Sequence, residues 1–447
     1  VATVQPDRTV DVEQIDLSAL EFWGRPPEEI DAAFATLRRE RPVAHFAERD
    51  LRDRSPHMPP PGPGYWAVTR HADVTDASRH PEVFRSGQGA VSVVDLPEEM
   101  VEYFSGMIST DNPRHARLRR IVGNAFSPRM IASLESGIRD RARAIVDAIC
   151  EKGEGDFVTD VAAPLPLSVI CDLMGIPEES RPDVFRASNV ILSEGDEEYV
   201  PEGTDPIEAF LQAGAELTEL MHRIGDERLA HPTDDLTTAL VTTNVDGESL
   251  THAELASFFV LLVVAGNETT RNAIAHTLWL LTEHPDQRAR WAADVEGTTP
   301  TAVEEVVRWV SPVTWMRRTV ASPVELGGQQ LDPGDKVLLF YRSANRDEAV
   351  FRDPFVFDVR REPNPHLGFG AAGPHFCLGA RLARREIAVM WEELLTRLTD
   401  IRASAPPQRL LSSFVNGIKH LPCEWTPRPG RPTTARGARF LGEGAGA

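Results

Sequence analysis

The chain has 447 residues and sets 47 Lys and Arg against 68 Asp and Glu. The resulting formal charge of −21 argues against nucleic acid or an anionic membrane surface as its partner. At 41% hydrophobic it can fill a large core, and its length allows about two or three domains or one unusually large one. Its cysteines, Cys150, Cys171, Cys377 and Cys423, form no CxxC pair. Neither a disulfide framework nor a zinc site is suggested, and a reducing compartment fits.

Residues 1–27 are mixed polar and acidic, lack an apolar signal core, and read as an extended arm. The spacing of Ile30, Phe34 and Leu37 predicts a helix over 28–40. Residues 55–64 are proline-rich loop, 65–69 a short strand, and 72–79 a helix. Helical patterns follow over 113–150, with a break near Ser127-Pro128, and over 164–174 and 178–192. Residues 193–205 carry Glu194, Asp196, Glu197, Glu198, Glu202 and Asp205 with Gly and Pro, an exposed acidic loop. Residues 207–229 read as helix. Thr251 and Glu254 predict a capping box that opens a long helix ending before Pro285. Its middle is apolar on all sides, as in a core helix. The longest apolar run, 258–265, is short of a membrane span, so the expectation is a cytoplasmic protein.

Helices continue to residue 310. Residues 318–345 read as strands and turns, 380–398 as a helix, and 410–426 as a closing hairpin. Residues 428–447, rich in Gly, Ala, Arg and Pro, read as a flexible tail. The expected fold is mainly α with a small β-rich lobe from about 40–75, 318–345 and 410–426, forming one domain over 1–427.

The chemistry concentrates in Phe369-Gly370-Ala371-Ala372-Gly373-Pro374-His375-Phe376-Cys377-Leu378-Gly379. This glycine-rich loop opens into a helix, whose dipole favours a thiolate at Cys377. A thiolate is a strong axial donor to haem iron. Gly370, Gly373 and Gly379 would let backbone approach a flat macrocycle. A lone cysteine is more often simply buried, so the reading depends on its companions.

The core helix carries Val264-Ala265-Gly266-Asn267-Glu268-Thr269-Thr270-Arg271-Asn272. Buried polar residues are costly unless paired. Gly266 would open space beside the helix, Thr269 would bond a bound diatomic ligand, and Glu268 would bring protons from solvent. The plainer alternative is a threonine tied to its own helix and a solvated glutamate. Glu305 and Arg308 share one helix face. His115, Arg119, Arg318 and His375 are candidate partners for buried carboxylates.

These motifs, in this order, resemble those of bacterial cytochrome P450 monooxygenases over about residues 22–427. Phe351-Arg352-Asp353-Pro354-Phe355-Val356-Phe357-Asp358 is similar to the segment before that family's haem loop. The resemblance implies haem b with Cys377 as its iron ligand, and Glu268 and Thr269 for proton delivery and O2 activation. It implies propionate contacts from His115, Arg119, Arg318 and His375, and places Phe369, Gly373 and Ala265 at the cofactor. Glu305 and Arg308 would be structural, with Arg361 or a neighbour. Phe369 lies one residue further from Cys377 than in the commonest family loop, as in an actinobacterial branch that hydroxylates sterol side chains and methyl-branched lipids. Phe340-Tyr341-Arg342-Ser343-Ala344-Asn345-Arg346-Asp347 and Asn416-Gly417-Ile418-Lys419 resemble that branch too. Val260, Val264, Val313, Trp315, Phe414 and Val415 would line an apolar substrate pocket. The chain has no flavin or nicotinamide fingerprint, so a ferredoxin and its reductase would supply electrons. Arg114, Arg117, Arg120, Arg381, Arg384 and Arg385 would form a basic docking patch suited to an acidic ferredoxin. Competing readings are a hydroxylase of macrolides or terpenoids, a peroxide-driven peroxygenase, and a non-catalytic haem or lipid carrier. An acid–alcohol pair would serve no purpose in the last two.

Overall fold

The computed structural model describes residues 10–52, 56, 58–126, 128–193, 195–200, 202–243 and 249–430. It is mainly helical with small sheets. The first described stretch is not extended. A 3-10 turn at Val12–Gln14 and helix α1 (Leu20–Trp23) bury Phe22 and Trp23. Their rings join Phe34 and Phe340 in one aromatic cluster, with Trp23 stacked on Phe340 at 6.1 Å. Burying such large rings outweighs the polar character of their flanks.

Helix α2 (Pro27–Glu40) leads into strands β1 (Val43–Phe46) and β2 (Tyr65–Val68). Then come α3 (His71–Arg79), β3 (Phe84–Arg85) and α4 (Glu98–Ser105). Helices α5 (Arg114–Ala125) and α6 (Pro128–Ile149) flank the expected break, and Ser127 itself lies outside the described residues. Strand β4 (Glu154–Asp156) precedes α7 (Pro164–Met174), α8 (Arg181–Leu192), α9 (Pro206–Ala230) and α10 (Leu236–Thr242).

Helix α11 (His252–Glu283) begins with the expected capping box: Glu254 N donates to Thr251 Oγ1 at 3.1 Å and Thr251 N to Glu254 Oε2 at 3.0 Å. By length and composition α11 could cross a bilayer. Here it is the central strut, packed against α4, α7, α8, α9, α13 and α15, the burial its all-round apolarity requires. Helices α12 (Pro285–Ala293) and α13 (Val295–Val310) complete this half.

Strands β5 (Trp315–Val320), β6 (Val324–Leu326), β7 (Gln329–Leu331) and β8 (Lys336–Phe340) follow, then α14 (Tyr341–Ala344) and α15 (Ala380–Arg397). The main sheet has the order β1-β2-β8-β5-β3, with β2 and β8 parallel and the other pairs antiparallel. It gathers segments far apart in sequence, including the expected 40–75 and 318–345, but it takes β3 as well and nothing from the expected 410–426, whose strands lie in separate sheets. The last strands are β9 (Arg402–Ala403), β10 (Gln408–Arg409), β11 (Ile418–His420) and β12 (Pro422–Glu424). The expected single hairpin over 410–426 is split: β10 pairs with β11, while β12 lies between β4 and β9.

Part of the expected tail is pinned, with Arg428 N donating to Cys150 O at 2.8 Å and Gly430 N to Glu151 Oε1 at 3.1 Å. The remainder, 431–447, lies outside the described residues. In the acidic loop, Asp196 and Glu198 are held by Lys419 of β11, at 3.1 and 3.0 Å. Glu194 lies outside the described residues.

Candidate active site

Cys377 ends a loop folded back on itself: its N–H donates to Phe369 O at 2.9 Å. Gly370 makes the turn possible with φ of +85°, where only glycine is unstrained. Gly373 is required for a different reason from the one expected. A Cβ there would stand 2.3 Å from Ser78 O, so this glycine lets the loop close onto the end of α3. Cys377 is exposed, whereas Cys150, Cys171 and Cys423 are buried. Protein nonetheless packs closely around the thiol. Desolvation there pushes the thiol up, and the backbone N–H groups of Gly379 and Ala380 with Arg119 and Arg384 only partly pull it back. The helix start alone therefore does not secure a thiolate. A bound metal would, since a coordinating thiol is deprotonated outright.

Behind the loop, Arg384 lies 4.2 Å from the Phe369 ring centroid. Glu304 accepts from Arg384 Nη2 at 2.9 Å and bonds His366 Nε2 at 2.9 Å. Burial pushes the Glu304 carboxyl up, but His366 and Arg384 outweigh it and hold it at about 2. Sequence reasoning missed this clamp. Its only trace was the doublet Glu304-Glu305.

The four expected cations converge beside this loop. The His115 and His375 rings are 4.1 Å apart. Arg119 Nη2 donates to Phe376 O at 2.6 Å and Arg318 Nη1 to Arg317 O at 2.7 Å. Among the described residues, none of the four is ion-paired to a carboxylate. Desolvation, Arg318, His115 and Arg119 together push His375 down to about 2. Arg318 is lowered mainly by burial, and His115 by burial and by Arg119. Arg119 and Arg318, guanidinium groups with no carboxylate partner among the described residues, stand beside two neutral imidazoles that can donate, and the arrangement suits an anion.

Helix α11 packs against α15, the helix that the cysteine loop opens into. Leu378 packs on the same cluster as Val263 and Val264, which ties the loop to this helix. Ala265 is exposed and Thr269 partly so. The Thr269 hydroxyl donates to Ala265 O at 2.7 Å. Gly266 serves helix packing: a Cβ there would meet Ile170 of α7 at 2.8 Å. The expected space beside the helix is thus filled by Ile170. Glu268 is not at a solvated end. It is 2% exposed, bonded by Arg271, and accepts from Asn272 Nδ2 at 2.9 Å. Asn272, and Arg271 with its partner Asn189, were assigned no role from sequence. Asn189 gave no signal there, because its partner is 82 residues away.

Glu305 and Arg308 are fully buried and bidentate, at 2.7 and 2.8 Å. Arg361 joins them, donating to Glu305 at 3.1 Å. Asp358 N and Asn364 Nδ2 also donate to Glu305. Arg308 reaches the carbonyls of Asn345 and Pro354, each at 2.9 Å. The network ties α13 to the segment that leads into the cysteine loop.

The expected pocket residues divide. Val313 bridges Val415, and the Trp315 and Phe414 rings meet at 4.9 Å, so these four lie together, Trp315 and Val415 being buried. Val264 is partly buried. Val260 has no accessible surface and packs within the cluster holding Phe259 and Val263. It is core, not lining.

These residues fit a haem: a cysteine for iron, uncompensated cations for two carboxylates, and a small-residue face at Ala265. The comparisons agree. The Cytochrome P450 family profile matches residues 208–408. The chain is 47% identical over 424 residues, 94% of its length, to a methyl-branched lipid omega-hydroxylase of Mycobacterium tuberculosis, covering 97% of that protein. It is 40% identical to a steroid C26-monooxygenase of Mycolicibacterium smegmatis, covering 90% of this chain and 94% of that one. A Mycobacterium marinum cytochrome P450 solved with pseudoionone superposes with a TM-score of 0.86 at 42% identity, covering 94% and 99% of the two chains. With identities of 47% and 40% to curated hydroxylating relatives over nearly the whole chain, the chain belongs to the cytochrome P450 family.

Proposed function

We propose that this haem-thiolate monooxygenase hydroxylates the end of an apolar chain, either a methyl-branched lipid or a sterol side chain. The observation that carries this reading is the 47% identity, over nearly the whole chain, to a relative named for omega-hydroxylation of methyl-branched lipids. In this reading Val313, Trp315, Phe414 and Val415 would line the substrate's path, since apolar linings suit such substrates.

In the reaction RH, O2, two electrons and two protons give ROH and water. The bound haem would supply O2 activation and C–H oxidation. The chain's own residues do the rest. Cys377 would hold the iron, and His115, Arg119, Arg318 and His375 would hold the carboxylates, with Phe369, Gly373 and Ala265 shaping the loop and helix faces around the group. Thr269 offers a hydroxyl on the accessible face of α11, and Glu268 would carry protons to that side. A reduced ferredoxin and its reductase would supply the electrons.

A ligand titration of the ferric protein, read by absorption, tests the substrate class. A low-to-high-spin shift is expected with a methyl-branched fatty acid or cholestenone and not with a compact macrolide. A shift with the macrolide alone would move the substrate to secondary metabolism. Turnover with peroxide alone, as efficient as with ferredoxin, would favour a peroxygenase instead.

A further inference from the structure

Glu268 is held by more than burial. Both of its oxygens face donors. Arg271 bonds Oε2, and Asn272 Nδ2 donates to Oε1 at 2.9 Å. Asn272 is 0% exposed, and its amide orientation is fixed from outside the helix. The Ile418 N–H of β11 donates to Asn272 Oδ1 at 3.1 Å. A flipped amide would set NH2 against that N–H and C=O against the carboxylate, two repulsions in place of two bonds. Asn272 can therefore only donate to Glu268. Arg271 is anchored in the same way: its Nη1 donates to Asn189 Oδ1 of α8 at 2.8 Å. The acid is thus held on two sides, from β11 through Asn272 and from α8 through Arg271.

We propose that Asn272 is a positioning residue for proton delivery. By donating to Glu268 it stabilises the carboxylate in one place, ready to take a proton from solvent and pass it toward Thr269. The proposal rests on the proton-carrying role given to Glu268 above. Hydrogen bonds to an ionised group are the stronger kind. Losing one would leave the acid less well placed and slower to cycle between its charged and neutral forms.

Asn272→Asp is the sharpest test. It keeps the shape and keeps an acceptor for the Ile418 N–H. It replaces the amide donor toward Glu268 with a second carboxyl, and two carboxyls this close share one proton, so Glu268 loses its fixed donor and its freedom to ionise independently. The holoenzyme, with ferredoxin, reductase and a spin-shifting substrate, should lose about tenfold in kcat, less than the full contribution of a general acid. KM and haem content should stay close to the parent's. Hydrogen peroxide released per electron consumed should rise, and the solvent isotope effect on kcat should increase. A merely structural role would not move these last two quantities. Adding Asn272→Asp to Glu268→Gln should cost little more than Glu268→Gln alone, because the two act as a unit. If Asn272→Asp does not fold, Arg271→Lys, which loses the reach to Asn189, should show the same uncoupling.

An Asn272→Asp enzyme that matches the parent in product per electron and in isotope effect, beside an impaired Glu268→Gln, overturns this inference alone. A Glu268→Gln enzyme that matches the parent overturns the role of Glu268 and this inference with it.

Discussion

Glu305 shows how much one carboxylate can hold in place. It accepts from two guanidinium groups, one side-chain amide and one backbone N–H, all in a dry site. Glu305→Gln keeps the shape but leaves Arg308 and Arg361 as buried, uncompensated charges. Breaking a buried pair this way costs about 3–5 kcal/mol. The expected outcome is a marked drop in the thermal midpoint, with haem lost before the chain unfolds, read together by calorimetry and the haem absorption band. Gly373→Ala tests a different physical limit. Its new methyl would overlap Ser78 O, and backbone cannot yield as a side-chain tip does, so an overpacking cost of about 1–3 kcal/mol is expected. A faster transfer of haem to an apoprotein acceptor would show it.

The Glu305–Arg308 pair was legible because it lies on one helix turn, and so was its structural role. The glycines of the loop were legible as needed, but not why. Gly373 answers to Ser78, almost the whole sheet lobe away in sequence, and Gly266 answers to Ile170. A glycine's reason lies in what approaches it, and a sequence does not show that.

At the scale of elements, the acidic loop after α8 was expected to be simply exposed. It is tethered to β11 instead. His420 bonds Glu198 Oε1 at 2.9 Å and also bonds Asp156, while Lys419 bonds Asp196 and Glu198. Partial burial lowers the His420 pKa, but the bonds to Asp156 and Glu198 outweigh it, so the net shift is upward from 6.5. A histidine raised on folding stabilises fully below its unfolded value, and that contribution is lost as the pH climbs through the folded value. The loop should therefore loosen as pH rises above about 6.5, though not release, because Lys419 stays charged. Hydrogen exchange over 195–200, corrected for intrinsic rate, should be slower at about pH 6 than at about pH 9. His420→Asn should remove most of that difference. Equal protection at both values in the parent would show that Lys419 alone holds the loop. The helices and core strut were readable from period and caps. This latch was not, because a run of acidic residues looks the same whether solvated or paired. The first turn was misread for the opposite reason: Phe22 and Trp23 stand among polar residues that mask the aromatic cluster they join.

The whole molecule carries a formal charge of −21, yet its electron donor is proposed to be an acidic ferredoxin. The arginines around the cysteine loop were expected to reconcile the two. Four of the six are committed internally: Arg384 to Glu304, Arg385 to Glu135, and Arg114 and Arg117 to Glu254. Arg381 is exposed and has no ion pair among the described residues. An acidic partner would then feel repulsion at long range and attraction only near contact. Salt acts on these unequally. At about 0.1 M the screening length is about 10 Å, so the distant repulsion fades first while close pairs persist. Stopped-flow reduction of the ferric protein should therefore speed up as salt is raised from low concentration, then level off or fall. That profile is the reverse of a simple complementary pair, whose rate falls steeply from the start. Arg381→Gln should lower the rate at every salt concentration without altering the substrate spin shift. A rate that falls monotonically with salt in the parent would mean that the paired arginines still project enough field to steer the partner. Their bonds to Glu304, Glu135 and Glu254 would then leave the patch effective rather than neutral.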